Sequence, residues 1–94
     1  MPYSVILAEE AIVDIDQAVE YYNGISFGLG FEFIDILDLY FKKIAALPTA
    51  SAIRYDNIRV KAVDIFPFTI HFVIAGDSTV TVLRIFNTNQ KPRL

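Results

Sequence analysis

The 94-residue sequence has no cysteine, a single histidine and no long apolar run. Without cysteine, disulfides and thiolate metal sites are excluded, while the redox compartment stays open. His71 alone cannot build a His/Cys cluster, so no metal is expected. No cofactor is expected either, because a Gly-x-Ser-x-Gly elbow and a glycine-rich phosphate loop are both missing. The "GLG" at residues 28–30 stands at a helix start rather than after a strand, and points to close approach between helices. No apolar stretch approaches the roughly 18 residues of a membrane span. The N-terminal "MPYSVILAEE" lacks the basic segment of a signal peptide. A soluble, cytoplasmic chain is the expectation.

Hydrophobic residues make up 54% of the chain and aromatics 14%. At this length residues 1–94 form one domain, able to hide roughly 60–65% of the surface of its unfolded chain around a single core. The net charge of −3 conceals a gradient: residues 1–47 hold eight acids and two bases (−6), residues 48–94 six bases and three acids (+3). An acidic total argues against a free-standing nucleic-acid binder, whose affinity rests on neutralising phosphates.

"YSVIL" at residues 3–7 is β-rich and reads as a strand. From Glu9 the period lengthens: Ala11, Ile15, Ala18 and Tyr22, widened by Val19, form the stripe of an amphipathic helix, with Asp14, Asp16, Gln17 and Glu20 off it. Asn23-Gly24 is the expected C-cap. Ser26 is the expected N-cap of a second helix that Pro48 stops after Leu47. That helix is apolar over more than one face: a main stripe of Phe27, Phe31, Ile34, Leu37, Phe41 and Ile44, and a second set including Phe33, Ile36 and Tyr40. The second set is either buried against the sheet or meets another chain.

"NGIS" is short enough only for an antiparallel helix pair, and "PTASAIRYDN" reads as a polar surface connection. Three strands follow. Ile58, Val60 and Ala62 alternate with Arg59, Lys61 and Val63, and Phe68, Ile70, Phe72 and Ile74 alternate with Thr69, His71 and Val73. The first set of each is assigned to the covered face, leaving Arg59, Lys61, Thr69 and His71 on the open one. "GDS" at 76–78 turns a hairpin, and alternation breaks at Leu83-Arg84-Ile85, as at a β-bulge or in a strand buried on both sides. The order is strand, helix, helix, strand, strand, strand: an α+β domain with a helical hairpin across one face of an antiparallel sheet.

Few residues point to catalysis. Asp35 and Asp38 lie three apart on the second helix, where acids on a polar side are ordinarily solvated. On the open sheet face, Arg59, Lys61 and His71 could bind phosphate, or Lys61 and His71 could assist proton transfer; Arg84, whose orientation the sequence leaves open, is a fourth candidate. The alternative is a polar, uncovered face with no site.

The run from "DIDQAVEYYNGISFGLGFEF" to "FPFTIHFVIAGDSTVTVLRIFNTNQKP" resembles the RelE/ParE superfamily of toxins from type II toxin-antitoxin modules. The similarity covers nearly the whole chain. It is carried by "DI..A..YY", by "GLG..F", by "R......FPF.I.F.I", and by a final valine-rich strand ending before a proline. The resemblance implies a small plasmid-stabilising toxin held by a cognate antitoxin, as a homodimer or a hetero-oligomer with it. RelE-like members cut messenger RNA on the ribosome from the open sheet face, whereas ParE-like members poison DNA gyrase without that residue set.

By that comparison Thr69 stands where RelE-like enzymes have an arginine, and Asn87 and Gln90 where many relatives keep histidine and arginine. Thr69 supplies no cation, Asn87 no acid or base, and Gln90 no charged fork. A lost transition-state contact costs about 3–4 kcal/mol, so several losses argue against an efficient nuclease. The expectation is a ParE-like toxin with a protein target such as gyrase, meeting partners through Phe33, Ile36, Tyr40, Arg84, Asn87 and Gln90. A ribosome-dependent endoribonuclease using Arg59, Lys61, His71 and Arg84, and a non-toxic antitoxin binder, are the alternatives.

Overall fold

The structure, a computed structural model, describes residues 2–89. Strand β1 (Ser4–Leu7) leads into helices α1 (Glu9–Ile25) and α2 (Leu29–Ala46). A 3-10 turn (Pro48–Ala50) then precedes β2 (Ile53–Tyr55), β3 (Ile58–Ala62), β4 (Phe68–Ala75) and β5 (Thr79–Asn87). The sheet order is β1-β5-β4-β3-β2. The expected α+β class and helical hairpin are present, with two additions. The sheet is mixed, because β1 slots beside β5 and runs parallel to it, while the other neighbours are antiparallel. And "IRY", read as part of a surface connection, is a strand: the two-residue turn Asp56-Asn57, with Asp56 at φ 48°, folds it back on β3.

The helix boundaries differ from expectation for a reason that the glycines explain. Gly24 lies inside α1, which runs on to Ile25, and the left-handed residue is Gly28, at φ 88°. Gly28 is the N-cap of α2, so the Ser26 side chain caps nothing. The open N–H of Gly30 is instead taken by the Asn23 side chain of α1, at 2.8 Å. Gly30 is where the helices touch: a Cβ there would sit 2.6 Å from the Val19 carbonyl oxygen. The close approach expected of "GLG" therefore rests on its second glycine.

That contact line sets which face of α2 is buried. Gly30, Phe33, Leu37, Tyr40 and Ile44 point inward, whereas Phe27 of the expected main stripe is 97% exposed and Phe31 58%. Phe33 packs with Tyr22, Phe66 and Phe68, ring centroids 4.9–5.5 Å from it. Ile70, Phe72, Val80 and Val82 complete the floor from the sheet. Truncating such a buried ring costs about 3–5 kcal/mol. The Tyr40 hydroxyl accepts a hydrogen bond from the Asp64 N–H at 3.0 Å and so ties α2 to the β3–β4 connection. Phe33 and Tyr40, expected at a partner surface, are core residues.

The face assignment of β3 is inverted. Arg59 pairs with Phe72 and Lys61 with Ile70, so both basic side chains share the helix-covered face, while Val60 pairs with His71 on the open one. Val63, of the same parity as the two cations, is buried. Near the sheet margin the long stems of Arg59 and Lys61 can lie along the core's edge with their charges outward. Arg59 Nη1 donates to the Ser51 carbonyl at 2.7 Å, and Lys61 Nζ stands 5.7 Å from the centre of the Tyr40 ring.

Candidate functional site

On β4, His71 stands at the middle of the open face. Its Nδ1 is hydrogen-bonded to the Tyr55 hydroxyl at 3.0 Å and its Nε2 to the Thr69 hydroxyl at 2.9 Å. Phe86 meets the ring edge-on at 4.8 Å between centroids. Burial, and secondarily the charge of Arg84, hold the His71 pKa below the usual histidine value, so the imidazole is neutral near pH 7. Two hydroxyls that can each donate or accept suit a neutral ring, which has one donor and one acceptor.

Arg84 occupies the position opposite His71 because β5 carries a bulge, one of the two readings of its broken alternation: His71 pairs with Arg84 and Phe72 with Val82, leaving Leu83 as the extra residue. The register of β1 ends with Leu7 opposite Val82, so the edge of β5 beyond it is left to α1. There Asp14 accepts hydrogen bonds from Arg84 Nε at 2.8 Å, Arg84 Nη2 at 3.0 Å and the Ile85 N–H at 2.9 Å. The guanidinium also lies 4.5 Å over the Phe86 ring. Hydrogen bonding to Asp14 holds the Arg84 pKa above its ordinary value. Arg84 is thus a cation already paired with a carboxylate, not one free to receive a phosphate.

Arg84 and Asn87 line one cavity of about 460 Å³, with Gln17, Tyr21, Phe86 and Asn89. Asn87 also has a local duty: its Oδ1 accepts the Asn89 N–H at 2.8 Å, closing a turn after β5. Gln90 lies outside the described residues. Ile36 is half-buried and lines a separate cleft. Asp35 and Asp38 are both exposed, and Asp38 pairs with Lys42 at 3.1 Å.

The four nuclease candidates therefore divide across the sheet. His71 and Arg84 share the open face, and Arg59 and Lys61 lie on the other. General acid-base chemistry needs groups within hydrogen-bond reach of a common substrate, and this arrangement does not bring the four together. What the open face does present is aromatic and aliphatic: Tyr55, Val60, Val73 and Phe86 surround the neutral ring. Two contributors were not singled out in the sequence. Asp14 was assigned off the buried stripe as an acid, but the structure turns it inward to Arg84, with its side chain only 12% exposed; its spacing, three residues after Ala11 and four before Ala18, was the signal. Tyr55 had only the two-residue turn that follows it.

No family model matches the chain, and no curated protein matches it. Among solved structures it is similar to a chain described as "Chromosomal ParDE TA system from P. aeruginosa", with 18% sequence identity and a TM-score of 0.78. The match covers 90% of this chain and 95% of that one. The fold is RelE/ParE-like. The match extends over nearly the whole of both chains, so the likeness is one of overall architecture.

Proposed function

We propose that this chain is the toxin of a type II toxin-antitoxin module, ParE-like in acting through a protein target rather than by cleaving RNA. The observation that carries the reading is the division of the cationic candidates: Arg59 and Lys61 face away from His71, and Arg84 is held by Asp14. The likeness of the fold to a ParDE chain supports the same direction. The partners are a cognate antitoxin and, as target, DNA gyrase, in the cytoplasm.

Expression without the antitoxin should arrest growth and induce DNA-damage signalling, and purified chain should inhibit gyrase supercoiling. Untouched supercoiling at high protein concentration sinks the gyrase version. Messenger RNA cut at the ribosomal A site, and lost in Lys61→Ala or Arg59→Ala, would install the nuclease reading instead. Harmless expression with an antitoxin complex still forming would identify a non-toxic binder.

A further inference from the structure

The connection between β3 and β4 is built in a costly way. The Phe66 N–H donates to the Asp64 carbonyl and the Phe68 N–H to the Phe66 carbonyl, both at 2.8 Å, giving two successive three-residue turns. Ile65, at the centre of the first, has φ 75°. A γ-turn of positive φ is rare and strained, and a β-branched residue is among the least suited to it. Glycine or asparagine would sit there more comfortably. Nor does burial account for the isoleucine, whose side chain is 83% exposed. Strain kept where packing does not demand it points to recognition.

Ile65 forms one wall of a cleft of about 520 Å³. Phe66 is at its base, Leu29 and Ile36 of α2 line the opposite wall, and Glu32 and Asp35 stand at its rim. The lining carries no basic residue, and among the described residues neither carboxylate is in an ion pair. Five of the eight lining residues come from residues 1–47, the half of the chain with a net charge of −6. An apolar slot edged by unpaired carboxylates complements an aliphatic side chain that has a cation beside it. Charge of this kind governs encounter and register more than it adds affinity.

We propose that this cleft docks a segment of a protein partner that carries Leu, Ile or Val next to Lys or Arg. The inference rests on the reading above for the existence of a protein partner, and names the chemistry of the segment it would present. Self-association is the competing use of the cleft, and the apolar side chain with its flanking cation is favoured over its two-fold form, in which a second copy would bring another acidic rim to this one.

The probe is a 12-residue peptide with Leu and Arg at helical i, i+4 spacing, compared with the same peptide carrying Glu in place of Arg. Titrated into the ¹⁵N-labelled chain, the Leu/Arg peptide should saturate and shift the amides of Glu32, Ile36, Ile65 and Phe66. The Glu peptide should bind at least tenfold more weakly, as should the Leu/Arg peptide to a Glu32→Lys/Asp35→Lys variant. Ile65→Gly relieves the backbone while deleting the wall, and should weaken binding at least fivefold in a chain whose spectrum stays folded. Shifts centred elsewhere, equal binding of the Glu peptide, or undiminished binding by Ile65→Gly would each overturn the proposal. So would a concentration-dependent dimer, seen by sedimentation, that covers these amides. Because the readout needs no toxicity, a chain that binds the Leu/Arg peptide but arrests nothing keeps this inference and loses the toxin reading. One that arrests growth without binding it does the reverse.

Discussion

Asp14 and Arg84 are bound to one another, but they should not be equally important, and the difference follows from what each leaves behind. Asp14→Ala removes three hydrogen bonds: two to the Arg84 fork and one to the Ile85 backbone N–H. The Arg84 side chain is 44% exposed, so water replaces much of the fork, which then counts as a surface pair of about 1 kcal/mol. Asp14 is only 12% exposed, and losing a charged acceptor for the Ile85 N–H costs about 2 kcal/mol more. The expected totals are about 3 kcal/mol for Asp14→Ala and about 1 kcal/mol for Arg84→Ala. In a domain of this size each kcal/mol lowers the melting temperature by roughly 4–8 °C. The double variant should resemble Asp14→Ala alone, a coupling of about 1 kcal/mol. Urea unfolding followed by circular dichroism measures all four corners of the cycle. The reasoning is refuted if Arg84→Ala costs as much as Asp14→Ala, or if the two losses add to within about 0.3 kcal/mol.

Two further outcomes follow from the same geometry. Gly30→Ala should destabilise by about 2 kcal/mol, because its Cβ would meet the Val19 carbonyl oxygen and displace Asn23. Gly24→Ala, with nothing within 4 Å of the new Cβ, should instead stabilise by about 0.5 kcal/mol, and thermal melts of the pair check the opposite signs. His71 has a folded pKa below its unfolded value, so the unfolded state binds its proton first as pH falls. Its contribution is therefore intact above the unfolded value of about 6.5 and is lost as pH drops from there through the folded pKa. Denaturation midpoints from pH 7.5 to about 5, above most carboxylate titration, should slope in the wild type and flatten in His71→Gln. Equal slopes would show that the ring is not held neutral.

The legible parts of this chain were those where one period dominates. In α1, Ala11, Ala18 and Tyr22 recur with acids between them, and the buried face is the expected one. The β4 alternation is equally clean, since Phe68, Ile70 and Phe72 leave Thr69 and His71 for the other side. In α2 both faces are apolar, so periodicity alone could not choose between them. The choice is made by Gly30, the small residue that lets the helices close, three residues before Phe33. The Arg84–Asp14 contact spans 70 residues, and no local pattern encodes such a pairing. Asp14 was set off the stripe because it is charged, and its spacing from Ala11 and Ala18 was the one local sign that it faces inward.

The reversed face of β3 bears most directly on function. A strand's side chains alternate with a period of two, so mistaking which set faces inward moves every residue to the opposite side at once. Arg59 and Lys61 looked like surface residues because they are charged, yet Val63, one residue past the end of β3, has their parity and is buried, so the core reading was available from the sequence. The position matters more than the identity of either cation. On the open side they would have joined His71 and Arg84 in a basic face suited to phosphate. On the covered side they leave that face with a neutral imidazole clamped by two hydroxyls, a guanidinium already answered by a carboxylate, and the side chains of Tyr55, Val60, Val73 and Phe86. A polyanion gains little from such a surface, since phosphate affinity comes from unpaired cations. A protein partner can gain from it, because aromatic and aliphatic groups around one satisfied polar centre bury area without stranding a charge.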